Sequence, residues 1–195
     1  QIESGKDFKI ISYEKIVNCN LFKNLTLGID PKLFTYNQIK KFFIKKNNIK
    51  FIDKNLVDEI YIKKINDNSP FFSLKKDIVG ENSNTKINKI SNYLKKNNSD
   101  YLFVSSPENV AWVLNIRGKD VPNSPIPNAR LIISKEKKIF LLIKLKKIKK
   151  LMKENIVKSD ELIDISNFSE NISYLDGKRF IIDDKSLSLI HTPRP

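Results

Sequence analysis

Two apolar runs joined by a short charged turn constrain this chain more than any other feature. Arg130-Leu131-Ile132-Ile133-Ser134 and Ile139-Phe140-Leu141-Leu142-Ile143 are rich in β-branched and aromatic residues. Lys135-Glu136-Lys137-Lys138 lies between them. That spacing predicts an antiparallel hairpin. Tyr101-Leu102-Phe103-Val104 is a third uniformly apolar run and reads as a central strand. Between and around these runs the period changes. Asn84 is placed to cap a helix reaching about residue 97, with Ile87, Ile90 and Leu94 on one face. Pro107 is suited to open the next helix, which carries Val110, Ala111, Val113 and Leu114. Strand and helix therefore alternate, and the fold class is α/β, a mixed sheet flanked by helices.

The rest of the chain extends that pattern. In the first third, residues 8–11, 25–30 and 49–52 read as strands and residues 13–17 as a helical turn. Residues 36–46 read as a helix with Ile39, Phe42 and Phe43 inward. Asn66 to Pro70 has turn composition, and Phe71-Phe72 is suited to dock this connector on a neighbouring surface. Gly80 to Ser83 marks a second break. Past the hairpin, residues 145–155 read as an amphipathic helix, with Leu145, Ile148, Leu151 and Met152 inward and Lys146, Lys147, Lys149 and Lys150 in solvent. Residues 163–175 read as mostly helical, 176–178 as a turn and 179–183 as a last strand.

Bulk composition excludes several classes. The net charge is +14 and the pI near 9.7. Only Arg117, Arg130, Arg179 and Arg194 are arginines, so 32 of the 36 basic residues are lysine, spread along the chain and accompanied by abundant Asn and Ile. Readers of bases and phosphates favour clustered charge and arginine forks, so this excess reads as coding bias and no nucleic-acid partner is expected. No apolar run reaches the roughly 18–20 residues of a membrane span, so no membrane partner is expected. Cys19 alone excludes an internal disulfide and fits a reducing, cytoplasmic location. Gln1 is not a start methionine and QIESGKDF has no signal-peptide form, which reads as the interior of a longer polypeptide.

Complete catalytic motifs are missing. There is no phosphate-binding glycine loop, dinucleotide fingerprint or nucleophile elbow. His191 stands alone in a proline-rich tail, and Cys19 reads as a small buried residue. Asp183-Asp184 is suited to a hard cation, but capping the next helix is the more economical role. The segment with the most chemistry is Val110 to Pro122. It holds the only Trp, and an apolar stretch runs directly into Asn115, Arg117 and Asp120. Gly118 then frees the backbone, and Pro122, Pro125 and Pro127 stiffen the loop.

Ala111-Trp112-Val113-Leu114-Asn115-Ile116-Arg117-Gly118-Lys119-Asp120-Val121-Pro122 closely resembles the AWLLNIRGxDIP signature of the Xaa-Pro aminopeptidases, in particular their three-domain form. Gly28-Ile29-Asp30-Pro31 resembles the family's G-[VI]-D-P. Asn55-Leu56-Val57-Asp58-Glu59-Ile60-Tyr61 resembles NLVDxIW, and Gly80 to Ser83 followed by Lys86-Ile87 resembles GxSxxxKI. Ser124-Pro125-Ile126 stands where the family has Asn-Pro-Val. The departures are Tyr61 for Trp, Ser124 for Asn, and Arg130 where an aromatic is common.

The resemblance implies two creatinase N-terminal-like domains. Residues 1–62 would be the later part of an incomplete first one, 63–83 a connector, and 84–195 the second. The catalytic "pita-bread" domain, with its dinuclear manganese or other divalent metal site, would lie outside this chain. Implied for the parent is a metal-dependent hydrolase, a homodimer acting on proline-containing peptides. This segment would hold no catalytic or metal residue and no cofactor. It would serve oligomerisation and active-site access beside its own catalytic domain, with Trp112, Asn115, Arg117 and Asp120 as access or interface residues. Trp112 would anchor its helix. Arg117 would hold a carboxylate of substrate or of a neighbouring domain, or else pair with Asp120 to fix the loop. The alternative function is a creatinase-like protein-binding module without catalysis.

Overall fold

The computed structural model describes residues 23–44, 46–52, 54–61, 69–75, 77–121, 123–183 and 185–186, with Gly5, Asp7, Ile10, Ile11, Ser12 and Lys15. All but Lys15 of the expected helical turn at 13–17, half of the strand at 8–11, residues 66–68 of the expected connector turn, Cys19, Pro122, Asp184 and His191 lie outside the described residues. The chain divides into two compact units, Gln1–Lys63 with Leu187–Pro195, and Lys64–Ser186.

In the first unit, β1 (Thr26–Ile29) pairs in parallel with β2 (Asn48–Phe51). Between them runs α1 (Tyr36–Ile39), continued by a π-helical turn, Lys40–Ile44. Thr35 starts the helix with a capping box. Its hydroxyl accepts from the Gln38 N–H at 3.2 Å, and the Gln38 side chain accepts from the Thr35 N–H at 2.8 Å. Ile39 is buried, and Phe34 and Phe43 meet edge to face at 5.7 Å. α2 (Leu56–Ile60) follows, with Asn55 accepting from the Val57 N–H and donating to Asp30.

The second unit is built on one five-stranded sheet. It contains β4 (Tyr101–Val104), β6 (Arg130–Ser134), β7 (Ile139–Ile143), β8 (Leu162–Asp164) and β9 (Phe180–Ile182), in the order β8-β7-β6-β4-β9. The hairpin β6–β7 forms as its sequence dictates, with Arg130 opposite Leu142 and Ile133 opposite Ile139. β4 joins β6 antiparallel, and β8 and β9 add in parallel at the two edges. Alternation then sorts the side chains. Val104, Leu131, Ile133, Ile139, Leu141 and Ile143 form one continuous core. α3 (Ser83–Lys96), α4 (Pro107–Leu114) and α5 (Lys149–Lys153) supply Ile87, Val110, Val113, Leu114 and Leu151 to it. On the other face Phe103 meets Phe168 of α6 (Phe168–Ile172) at 5.7 Å, and Phe140 meets Tyr174. β4, β6 and β7 are covered on both faces, which is why their sequences are apolar without alternation. The mixed sheet flanked by helices is the architecture expected.

Three expectations are corrected. α3 begins at Ser83 and is capped by Asn82, whose side chain accepts from the Thr85 N–H at 2.8 Å, so Asn84 lies inside the first turn. The predicted helix over 163–175 begins as a strand, because Ile163 pairs with Leu142, and only then becomes helical. The helix over 145–155 is interrupted: Leu145–Lys147 is a 3₁₀ turn before α5. The tighter turn shifts the phase. Leu145 and Met152 are exposed, while Lys147 is buried.

Candidate functional site

The segment from Val110 to Asp120 encodes the end of a helix and the turn out of it. Pro107 stands at the first turn of α4, where its missing N–H costs nothing. The helix stops at Asn115, which adopts the left-handed conformation at φ 54°. Asparagine tolerates that region better than other non-glycine residues because its amide bonds locally. β5 (Ile116–Arg117) follows and pairs antiparallel with β3 (Phe72–Ser73).

A helix C-terminus leaves its last carbonyls without intrahelical partners. Here side chains from elsewhere meet them. Arg117 Nη1 donates to the Ala111 carbonyl at 3.1 Å and to the Ile116 carbonyl at 2.8 Å. Lys86 Nζ donates to the Trp112 carbonyl, and Ser83 Oγ to the Val113 carbonyl at 2.8 Å. Two cations thus meet the negative end of the α4 dipole. Lys86 also donates to Asn115 Oδ1 at 2.6 Å, and Asn115 Nδ2 donates to the Glu81 carbonyl at 3.0 Å. The ammonium lies 4.3 Å from the Trp112 ring centroid. Burial pulls the Lys86 pKa below its ordinary value; the Glu81 charge opposes that shift and Arg117 adds to it.

Beyond Arg117 the chain is stapled down. Gly118 is buried, and a Cβ there would lie 2.8 Å from Pro127 Cα and 2.9 Å from the Phe71 ring. Only glycine lets the backbone pass this close. Its N–H donates to the Pro125 carbonyl at 3.2 Å. Asp120 accepts from Lys147 Nζ and from the Asn128 N–H at 2.6 Å. The ion pair is nearly sealed, with side chains 11% and 8% exposed. Phe71 lies beneath it, 1% exposed, and its N–H donates to the Lys147 carbonyl at 3.0 Å.

The four residues singled out from the sequence fall on one continuous turn, in altered roles. Trp112 is not a buried anchor. It is 57% exposed, because at its position on α4 the core side is taken by Val110, Ala111, Val113 and Leu114. Arg117 and Asp120 do not pair: each is committed elsewhere, Arg117 to carbonyls and Asp120 to Lys147 and Asn128. Among the described residues nothing meets Nε or Nη2 of Arg117, which leaves donors for an incoming carboxylate. Beside Trp112 a mainly apolar cavity of about 300 Å³ opens, lined also by Leu102, Asn109, Ile182 and Asp183. Asp183 accepts from the Lys185 N–H at 3.0 Å and from the Ser186 hydroxyl at 2.7 Å.

Lys86 and Lys147 were not foreseen as site residues. Lys86 carried a signal, since it lies one turn before Ile90 at the margin of the apolar stripe of α3. Lys147 sits in a lysine run and carried none.

The family model of the creatinase/prolidase N-terminal domain matches residues 62–192. Xaa-Pro aminopeptidase 1 of Dictyostelium discoideum is 30% identical over 86% of this chain and 29% of its own length. Aminopeptidase P2 of Arabidopsis thaliana is 33% identical over 55% of this chain and 16% of its own. The crystal structure of X-prolyl aminopeptidase from Caenorhabditis elegans, described as a cytosolic enzyme with a di-nuclear active site, shares the fold. Its TM-score is 0.70 at 21% identity, covering 91% of this chain and 31% of that one. The chain thus spans under a third of the length of these relatives. The resemblance read from the Ala111 to Pro122 signature is borne out, and the chain belongs to the creatinase/prolidase N-terminal domain family, in a region homologous to that of the Xaa-Pro aminopeptidases.

Proposed function

We propose that this chain is the amino-terminal accessory region of a metal-dependent, cytoplasmic aminopeptidase that removes the residue preceding proline. Its work is to assist oligomerisation, as a homodimer, and to restrict access to the active site. One observation carries the reading: the family signature folds into a side-chain-capped helix end that leaves Trp112 exposed and holds Arg117 on the Ala111 and Ile116 carbonyls. A turn fixed in this way suits positioning of peptide more than covalent chemistry. The tertiary amide before proline requires a dedicated site, and an arginine with unused donors suits a carboxylate in such a site.

Among the described residues no three His, Cys, Asp or Glu side chains are grouped to hold a metal ion. The dinuclear manganese or other divalent metal expected for the parent does not fit the donors described here, and no step of hydrolysis is derived from them. The test compares two proteins with added Mn²⁺: this chain alone, and a polypeptide carrying it at the full length of its relatives. The expected result is X-Pro hydrolysis by the long form and none by the short one. Turnover by this chain alone would refute the accessory reading. Intact folding of the long form without turnover would favour the protein-binding module instead. In the long form, Arg117→Ala is expected to raise KM or shift sedimentation, and no change in either would remove Arg117 from the site.

A further inference from the structure

Lys86 is buried, at 3% exposed, yet among the described residues no carboxylate bonds its ammonium. Its bonds go to a carbonyl and an amide oxygen, and it lies over an indole face. Glu81, the nearby acid, is bonded to the exposed Lys89 at 2.5 Å. Arg117, a second cation, is anchored one carbonyl away on the same helix end. Burying an ammonium among neutral oxygens beside another cation is an unfavourable placement. A lysine kept there is expected to bring something other than stability.

We propose that Lys86 is the positioning residue of the signature turn. Its ammonium bridges the Trp112 carbonyl and the Asn115 amide, and lies against the Trp112 ring. One side chain from α3 thereby fixes three things: where α4 stops, the left-handed turn at Asn115, and the outward stance of Trp112. The aliphatic stem crosses from α3 to α4, so the turn is referenced to both helices. Asn115 transmits the constraint, because its other amide atom holds the Glu81 carbonyl and its own carbonyl accepts from the Leu74 N–H at 2.9 Å. The β3–β5 pairing that carries Arg117 begins at that point. Lys86 therefore acts on Trp112 directly and on Arg117 through Asn115.

Trp112 is the only tryptophan in the chain, so its fluorescence reads this cluster alone. Lys86→Met keeps the length and polarisable packing of the stem but removes the charge and donors. The expected result is a roughly two-fold larger fast component in the anisotropy decay of Trp112, as the ring gains the sub-nanosecond to nanosecond freedom of an exposed side chain. The thermal midpoint should stay within about 4 °C, because an uncompensated buried charge has gone as well as its bonds. Asn115→Gly retains the left-handed backbone while removing the amide acceptor, so it should loosen Trp112 less, and it reads the same linkage if Lys86→Met does not fold. Anisotropy unchanged in both variants overturns the proposal, as does a large fall in midpoint with no change in Trp112 mobility. A kinetic arm rests on the accessory-region reading: in the full-length form Lys86→Met should raise KM for X-Pro peptides more than it lowers kcat. A loosened Trp112 with unchanged KM would leave Lys86 in place and refute the access role.

Discussion

Lys86 and Lys147 are buried to nearly the same degree, at 3% and 6% exposed, and flank the same turn, yet they are compensated in opposite ways. Lys147 meets the carboxylate of Asp120, so the corner beyond Gly118 is close to neutral. Lys86 meets carbonyl and amide oxygens, so its corner keeps a net positive charge, and burial pulls the lysine below its ordinary pKa. The Lys147 corner holds the loop down. The Lys86 corner orients side chains that remain in contact with solvent. Similar burial of similar residues can thus do different work, decided by whether the partner carries charge.

The largest effect expected from this contrast is at the neutral corner. Asp120→Ala leaves Lys147 buried without its partner and should cost about 3–5 kcal/mol in denaturant unfolding. The pair Asp120→Leu with Lys147→Met should recover most of that loss, and failure of the double variant to recover would show that the pair specifies the loop and does not merely neutralise it. Next comes Gly118→Ala, expected to cost about 1–3 kcal/mol, since the added methyl meets Pro127 Cα, a backbone atom with little room to move. At the charged corner, Asn115→Ala should cost about 1–2 kcal/mol from the left-handed backbone, while Asn115→Gly should cost less. Equal losses at both substitutions would mean that the amide matters more than the backbone angle.

The smallest effect lies away from both corners and serves as a control. Asp100 accepts from Lys135 Nζ at 2.7 Å and from the Arg179 N–H at 3.0 Å, and these bonds hold its pKa at about 2. A carboxylate depressed in the folded state adds stability that is present above its unfolded pKa and is lost as pH falls through the folded one. Wild type should therefore lose thermal stability between about pH 4 and pH 2, and Asp100→Asn should flatten that slope while leaving Trp112 anisotropy unchanged. An unaltered slope would remove Asp100 as its source.

Most of the fold of the second unit was legible, because its central strands are apolar on both faces and α3 and α4 keep their period. The hairpin, β4, α4 and β9 follow directly from sequence. What was not legible depended on partners distant in sequence. Lys147 looks like its lysine neighbours until Asp120, 27 residues earlier, draws it inward. Ile163 reads as helical until β7 offers it a hydrogen-bonding edge. The candidate site was legible only as a segment: the chain turns at Asn115, inside the quoted signature. Its bonding was not, since Arg117 and Asp120 sit three residues apart but turn to different neighbours. Trp112 was misplaced because bulk and apolarity are weak guides to burial for an amphipathic aromatic.

The placement of β9 bears on the order in which the chain can assemble. β4 finds its hairpin-side neighbour β6 about thirty residues on, but its other neighbour arrives only with Phe180, 79 residues after Tyr101. Until then β4 is an open edge, apolar on both faces, of the kind that pairs with other chains. A nascent chain released before Phe180 would carry that edge into solution. Synthesis of the last strand is therefore the step that closes the sheet, and contacts this distant in sequence form slowly.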